Sequence, residues 1–67
     1  MPFDIAARPK RRRAVSHIIA ELSRIREAEE SYMDRIPMNL QGGEAYAAAE
    51  YSVDLLTDAI ISLLEAY

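Results

Sequence analysis

The chain predicts an all-α fold, an antiparallel two-helix hairpin with helices over about 10–35 and 43–67. Three observations carry that reading. One apolar ladder steps through Val15, Ile18, Leu22, Ile25, Glu29, Tyr32 and Ile36, and a second through Tyr46, Ala49, Val53, Leu56, Ile60, Leu63 and Tyr67. Steps of three then four residues return to one face of a helix, and only Glu29 interrupts the pattern. Between the ladders lies one short connection with Pro37, Gly42 and Gly43. Helices joined so closely must fold back on each other.

Residues 1–9 hold Pro2 and Pro9 and no sustained period, so they read as a flexible basic arm. The first helix is expected from Lys10 to Arg35. Its start is weakly encoded, because Lys10, Arg11, Arg12 and Arg13 place cations where the helix dipole favours anions. Its end is firmer: Pro37 pushes Ile36 out of the helical region, and Asn39, Gly42 and Gly43 supply turn chemistry, the glycines for unusual φ. The second helix opens near Gly43 with Glu44 well placed in its first turn. With the loop centred near Asn39, the layers pair Val15 with Leu63, Ile18 with Ile60, Leu22 with Leu56, and Ile25 with Val53. Glu29 then meets the small Ala49, and Tyr32 meets Tyr46. Glu29 leans to solvent at the seam edge, accepts a bond from Tyr46 or another tyrosine, or fixes the register, as a single polar seam residue does.

The flanks of this seam differ. One sets Ala14, Glu21, Ala28 and Arg35 against Ala45, Ser52, Ala59 and Ala66; the other sets Ile19, Arg26 and Met33 against Glu50, Thr57 and Leu64. Outside both, the second helix still shows Ala48, Tyr51, Leu55 and Ile61. A lone hairpin cannot bury them, so the chain is expected to complete a helical bundle by dimerisation or by docking on a partner. The expected partner interface is Tyr51, Leu55, Ala48, Ile61, Ala28 and Ala59.

Composition narrows the classes of function. The sequence has 67 residues, 51% of them hydrophobic, and no cysteine, so one small core must do without disulfides or thiolate metal sites. No apolar run approaches the roughly 18 residues of a membrane span, which predicts a soluble cytoplasmic protein with no membrane role. An enzyme is not expected. The single histidine, His17, has no glutamate three residues before it, and no nucleophile stands beside a base. Gly42 and Gly43 before a helix read as a turn rather than an anion site, and the i, i+4 carboxylates Glu50, Asp54 and Asp58 as a solvated face. No cofactor or metal is implied.

The net charge of −3 hides a split. Residues 1–13 carry Arg8, Lys10, Arg11, Arg12 and Arg13 against Asp4, while the remainder carries three arginines against ten acids. The basic cluster supports an alternative function, nucleic-acid binding through phosphate neutralisation. No aromatic residue is interleaved with it, which disfavours base stacking.

The segments Glu29-Glu30-Ser31-Tyr32, Ile36-Pro37-Met38-Asn39-Leu40-Gln41-Gly42-Gly43-Glu44-Ala45-Tyr46 and Ala49-Glu50 carry a resemblance over roughly Ile25 to Leu64. They are similar to small helical-hairpin proteins of bacteria, often in phage or mobile-element neighbourhoods, with an I/L-P-x-N-L-Q loop. Arg35 and Gly43 stand where that family often has Asn and a capping Ser. The resemblance brings no catalytic residues. It implies a non-enzymatic accessory protein acting by protein–protein association, and an acidic body in that setting would suit an inhibitor of a host nuclease.

Overall fold

The computed structural model describes residues 6–67 and consists, among these, of two long helices and a single 3₁₀ turn. Helix α1 spans Arg8–Arg35, the 3₁₀ turn Met38–Leu40, and helix α2 Glu44–Ala66. At about 1.5 Å per residue the helices run about 42 and 35 Å and lie side by side as an antiparallel hairpin. The molecule is a slab of 51 × 21 × 13 Å.

Helix α1 begins two residues before the expected Lys10. Pro9 falls in the first turn, where its missing N–H is one of the donors that would be unsatisfied anyway. Arg8 and Pro9 are therefore helical and not part of an arm; of the rest, Ala6 and Ala7 precede the helix without joining it, and residues 1–5 lie outside the described residues. The start is as poorly capped as its charges suggest: Ala7 offers no side-chain acceptor and the first turn holds no acid. At the other end Ile36 is extended before Pro37, and its N–H donates to Met33 O at 3.1 Å.

The connection is held by its own backbone. Leu40 N–H donates to Pro37 O at 2.8 Å, Gly43 N–H to Leu40 O at 3.0 Å, and the Gln41 side-chain amide to Ile36 O at 3.3 Å. Neither glycine has a positive φ, contrary to the expectation that the turn needs one. Gly43 instead answers a close approach, since a Cβ there would stand 3.2 Å from Leu40 O, while at Gly42 nothing lies within 4 Å. Gly43 is extended and ends the loop as the N-cap of α2.

The seam confirms the α2 ladder and corrects the α1 ladder. On α2, Ala49 and Ile60 are buried and Tyr46, Val53, Leu56 and Leu63 half-buried, with only Tyr67 left at the edge. On α1 Ala14 is buried, Val15, Ile19, Leu22, Arg26, Glu29 and Met33 are half-buried, as is Ile36 just past its end, while Ile18, Ile25 and Tyr32 stand exposed. One of the two facing columns is thus shifted by a single residue from Ile19 to Met33, equivalent to turning the helix by about 50°, while Ala14 keeps the other flank closed at the terminal end. The layers that pair Ile18, Ile25 and Tyr32 with α2 are accordingly not formed as closed rungs.

The chemistry of the flank explains the turn. Arg26 lays its aliphatic stem along the seam, and its guanidinium donates to Thr57 Oγ1 at 3.5 Å. Ile19 and Met33, one heptad on either side of it, are half-buried on the same flank. The resulting core is thin. Ala14, Ala49 and Ile60 are its only buried residues among those described, and no large side chain is fully enclosed.

Candidate functional site

Turning α1 toward Arg26 and Thr57 closes one side of the hairpin and opens the other. On the open side Ile25 and Glu29 of α1 and Ser52, Leu55 and Leu56 of α2 line a groove of about 360 Å³. A second groove of about 560 Å³ continues toward the loop, between Tyr32 and Ile36 on one bank, Leu40 at its end, and Gly43 and Ala45 on the other. Tyr32 lies two turns from Ile25, and Ala45 two turns from Ser52, so both grooves share one face.

Local sequence makes this face. On α2 the positions beside the seam are Ala45, Ala48, Ser52, Leu55, Ala59, Ser62 and Ala66, a second complete ladder without a single charge. Its small side chains give the groove a low floor. On α1 the wall is Ile18, Ile25 and Tyr32, with Ala28 beside them on the same flank. Ile25 and Leu55, at opposite banks, are each half exposed. Glu29, half-buried, lines the first groove, and Glu44 with Arg35 lines the second at the loop end.

The residues expected at a partner interface do not all gather here. Leu55 lines the groove, and Ala48 and Ala59 flank it along the same ladder, all exposed. Ala28 is exposed on the α1 bank. Tyr51 is two-thirds exposed but lines neither groove, because it lies on the back of α2. Ile61 is exposed with Leu64 on the far side, the side of the Arg26–Thr57 bond. Ile18, Ile25 and Tyr32, expected in the seam, stand instead on the open face, where the ladder pattern does not place them. The signal that could have found them is the twin apolar columns of α1, on either side of Val15, Leu22, Glu29 and Ile36.

The basic cluster sits on the first turns of α1 as a helix. Its side chains point all round the axis at 100° per residue, so they form a charged tip and not a stripe. Arg8 lies over the Tyr67 ring, 4.6 Å from its centroid, which brings the two ends of the hairpin together. His17 is exposed. Among the described residues no three His, Cys, Asp or Glu side chains gather into a metal-binding group, and no helix is long and apolar enough to cross a membrane.

Compared with family models, with curated proteins and with solved structures, the chain finds no match.

Proposed function

We propose that this chain is a non-enzymatic protein-interaction module that works by presenting its grooved face to helices of another chain. The single observation that carries the reading is the uncharged ladder Ala45–Ala66 lying open beside Ile18, Ile25 and Tyr32. Large apolar side chains over small ones form the ordinary ground plan of helix–helix packing, and here the second layer is missing. Burial of that face would gain about 25 cal/mol per Å² of apolar area.

The loop resemblance supports an accessory role of the phage or mobile-element kind. In that role the opposite side of the hairpin matters too, since Glu30, Glu50 and Asp54 stand exposed there. Such a surface complements a basic cleft, such as the nucleic-acid channel of a host nuclease. The test is affinity capture with the wild type, with Ile25→Lys/Leu55→Lys, and with Tyr51→Lys as the control on the back of α2, each checked for helicity. A defined protein, another copy included, should be retained by wild type and control and lost with the double variant. Retention of none by the wild type, or of the same one by all three, would overturn the reading.

One observation favours a second reading. All five cations of residues 8–13 crowd one tip of the molecule, where they could neutralise phosphates. Arg12→Gln with Arg13→Gln, both exposed positions, should then weaken nucleic-acid binding and flatten its salt dependence. No gel retardation of the full chain at low salt would retire it.

A further inference from the structure

The grooved face also says what covers it. We infer that two copies of this chain pack groove to groove about a two-fold axis crossing the hairpin at Ile25 and Leu55, with their long axes antiparallel, as a four-helix bundle. The inference rests on the interaction reading above and names its occupant.

The first argument is area. The chain exposes 5144 Å². A compact monomer of 7.6 kDa would expose about 4,300 Å². The excess, roughly 850 Å², matches the ~800 Å² that each partner contributes to a standard interface. A slab two helices wide and one thick has, among the described residues, no other element to cover that surface.

The second argument is self-complementarity. A two-fold interface must place each residue against the symmetry mate of its own partner. The ladder on α2 does so when reversed about Leu55: Ala45 meets the second copy's Ala66, Ala48 its Ser62, Ser52 its Ala59, and Leu55 its own mate. The α1 column reverses about Ile25, so that Ile18 meets Tyr32 of the second copy and Ile25 meets itself. The two centres fall at one level of the hairpin, since Ile25 and Leu55 line the same groove. One axis therefore satisfies both helices. Small residues let the α2 pair approach closely, and the isoleucines and Tyr32 fill the wider α1 side.

The third argument is charge. Among the described residues, the end with both termini carries five cations between Arg8 and Arg13 against Glu21, Asp58 and Glu65. The loop half carries seven acids between Glu27 and Asp54 against Arg24, Arg26 and Arg35. Antiparallel long axes set each basic tip beside the other copy's acidic loop half, whereas aligned ones would set tip against tip. In this register Glu29 approaches the second copy's Glu21, which its own Arg24 holds at 3.0 Å.

The chain has no native cysteine, so single cysteines report the arrangement directly. Sedimentation equilibrium of the full chain should give a dimer. Leu55→Cys and Ile25→Cys, each checked for helicity, should cross-link to themselves with a short bis-maleimide; Ile61→Cys should not. Ala45→Cys should link to Ala66→Cys in a mixture and not to itself. Cross-links only between Ile25→Cys and Leu55→Cys would show aligned hairpins and overturn the inference. So would a folded monomer at high micromolar concentration, which leaves the interaction reading intact if capture still retains a different protein through the groove.

Discussion

The two sides of the hairpin are built from the same helices and behave as opposites. On one, Arg26 bridges to Thr57 across the seam, and Glu30, Glu50 and Asp54 stand around it in solvent. On the other, α2 offers seven uncharged positions and α1 offers Ile18, Ile25 and Tyr32, with little between them but a groove. The helices have rolled toward the polar side. The difference teaches that a two-helix unit can close whichever flank its polar side chains are able to bridge, while the flank best suited to another helix is left open. The closed flank joins a long amphipathic side chain to a hydroxyl; the apolar flank needs only a second apolar surface.

The largest effect should come from the seam shared by both sides. Ile60, almost wholly buried, becomes a cavity in Ile60→Ala, which should cost about 2–4 kcal/mol. Thermal melting followed by circular dichroism would show a large fall in midpoint, and an unchanged midpoint would mean that the seam is misplaced. Next comes the open face. Ile25→Lys with Leu55→Lys leaves the seam's other contacts in place but puts two charges at the groove. Its melting midpoint should lose the dependence on protein concentration that the proposed dimer would give the wild type. Persistent concentration dependence would show that association uses another surface.

Tyr51 sharpens the contrast. It is the most exposed of the aromatic residues described, yet it lies on the back of α2, away from both grooves. Leu55→Ala should weaken association several-fold, whereas Tyr51→Ala should leave it and the helicity unchanged. Equal losses from both would extend the contact surface round α2. The smallest effect belongs to the closed side. Thr57→Val removes the acceptor of a 3.5 Å bond that is part-buried and should cost about 0.5 kcal/mol, readable by urea denaturation. A cost above about 2 kcal/mol would mean that Arg26 and Thr57 hold the roll of the helices by themselves.

The parts of this architecture differ in how legible they are from sequence. The α2 seam is readable because large apolar residues fill one continuous ladder there, Tyr46 through Leu63, and the neighbouring ladder is small. Helix α1 is ambiguous because two columns compete. Ile18, Ile25 and Tyr32 stand on one side of Leu22 and Glu29, with Ile19, Arg26 and Met33 on the other. Hydrophobicity favours the first set, since Arg26 spoils the second. Its stem, however, packs as a hydrocarbon once its head reaches an acceptor, which periodicity does not register. The same ambiguity hid half of the candidate site: Leu55, Ala48 and Ala59 were readable as surplus on α2, while the α1 wall looked like core. At the loop, Pro37 marks the end of α1 plainly. The reason for Gly43 was hidden, because the constraint is a carbonyl 3.2 Å from its missing Cβ and no local φ preference.

The contact between Arg8 and Tyr67 bears on the order in which the chain assembles. Contacts near the loop close over a few residues, while this one spans almost the whole chain, and loop-closure entropy grows with the length enclosed. Folding of the hairpin should therefore propagate like a zipper from Pro37 and Gly43 outward, at the rapid rates of topologies rich in local contacts. The terminal end then docks last and opens first, with an exposed cation–π contact worth about 0.5–1 kcal/mol as its latch. Amide protection would fall steadily from the loop toward the tip, so that the basic turns of α1 pass most often through a transiently undocked state.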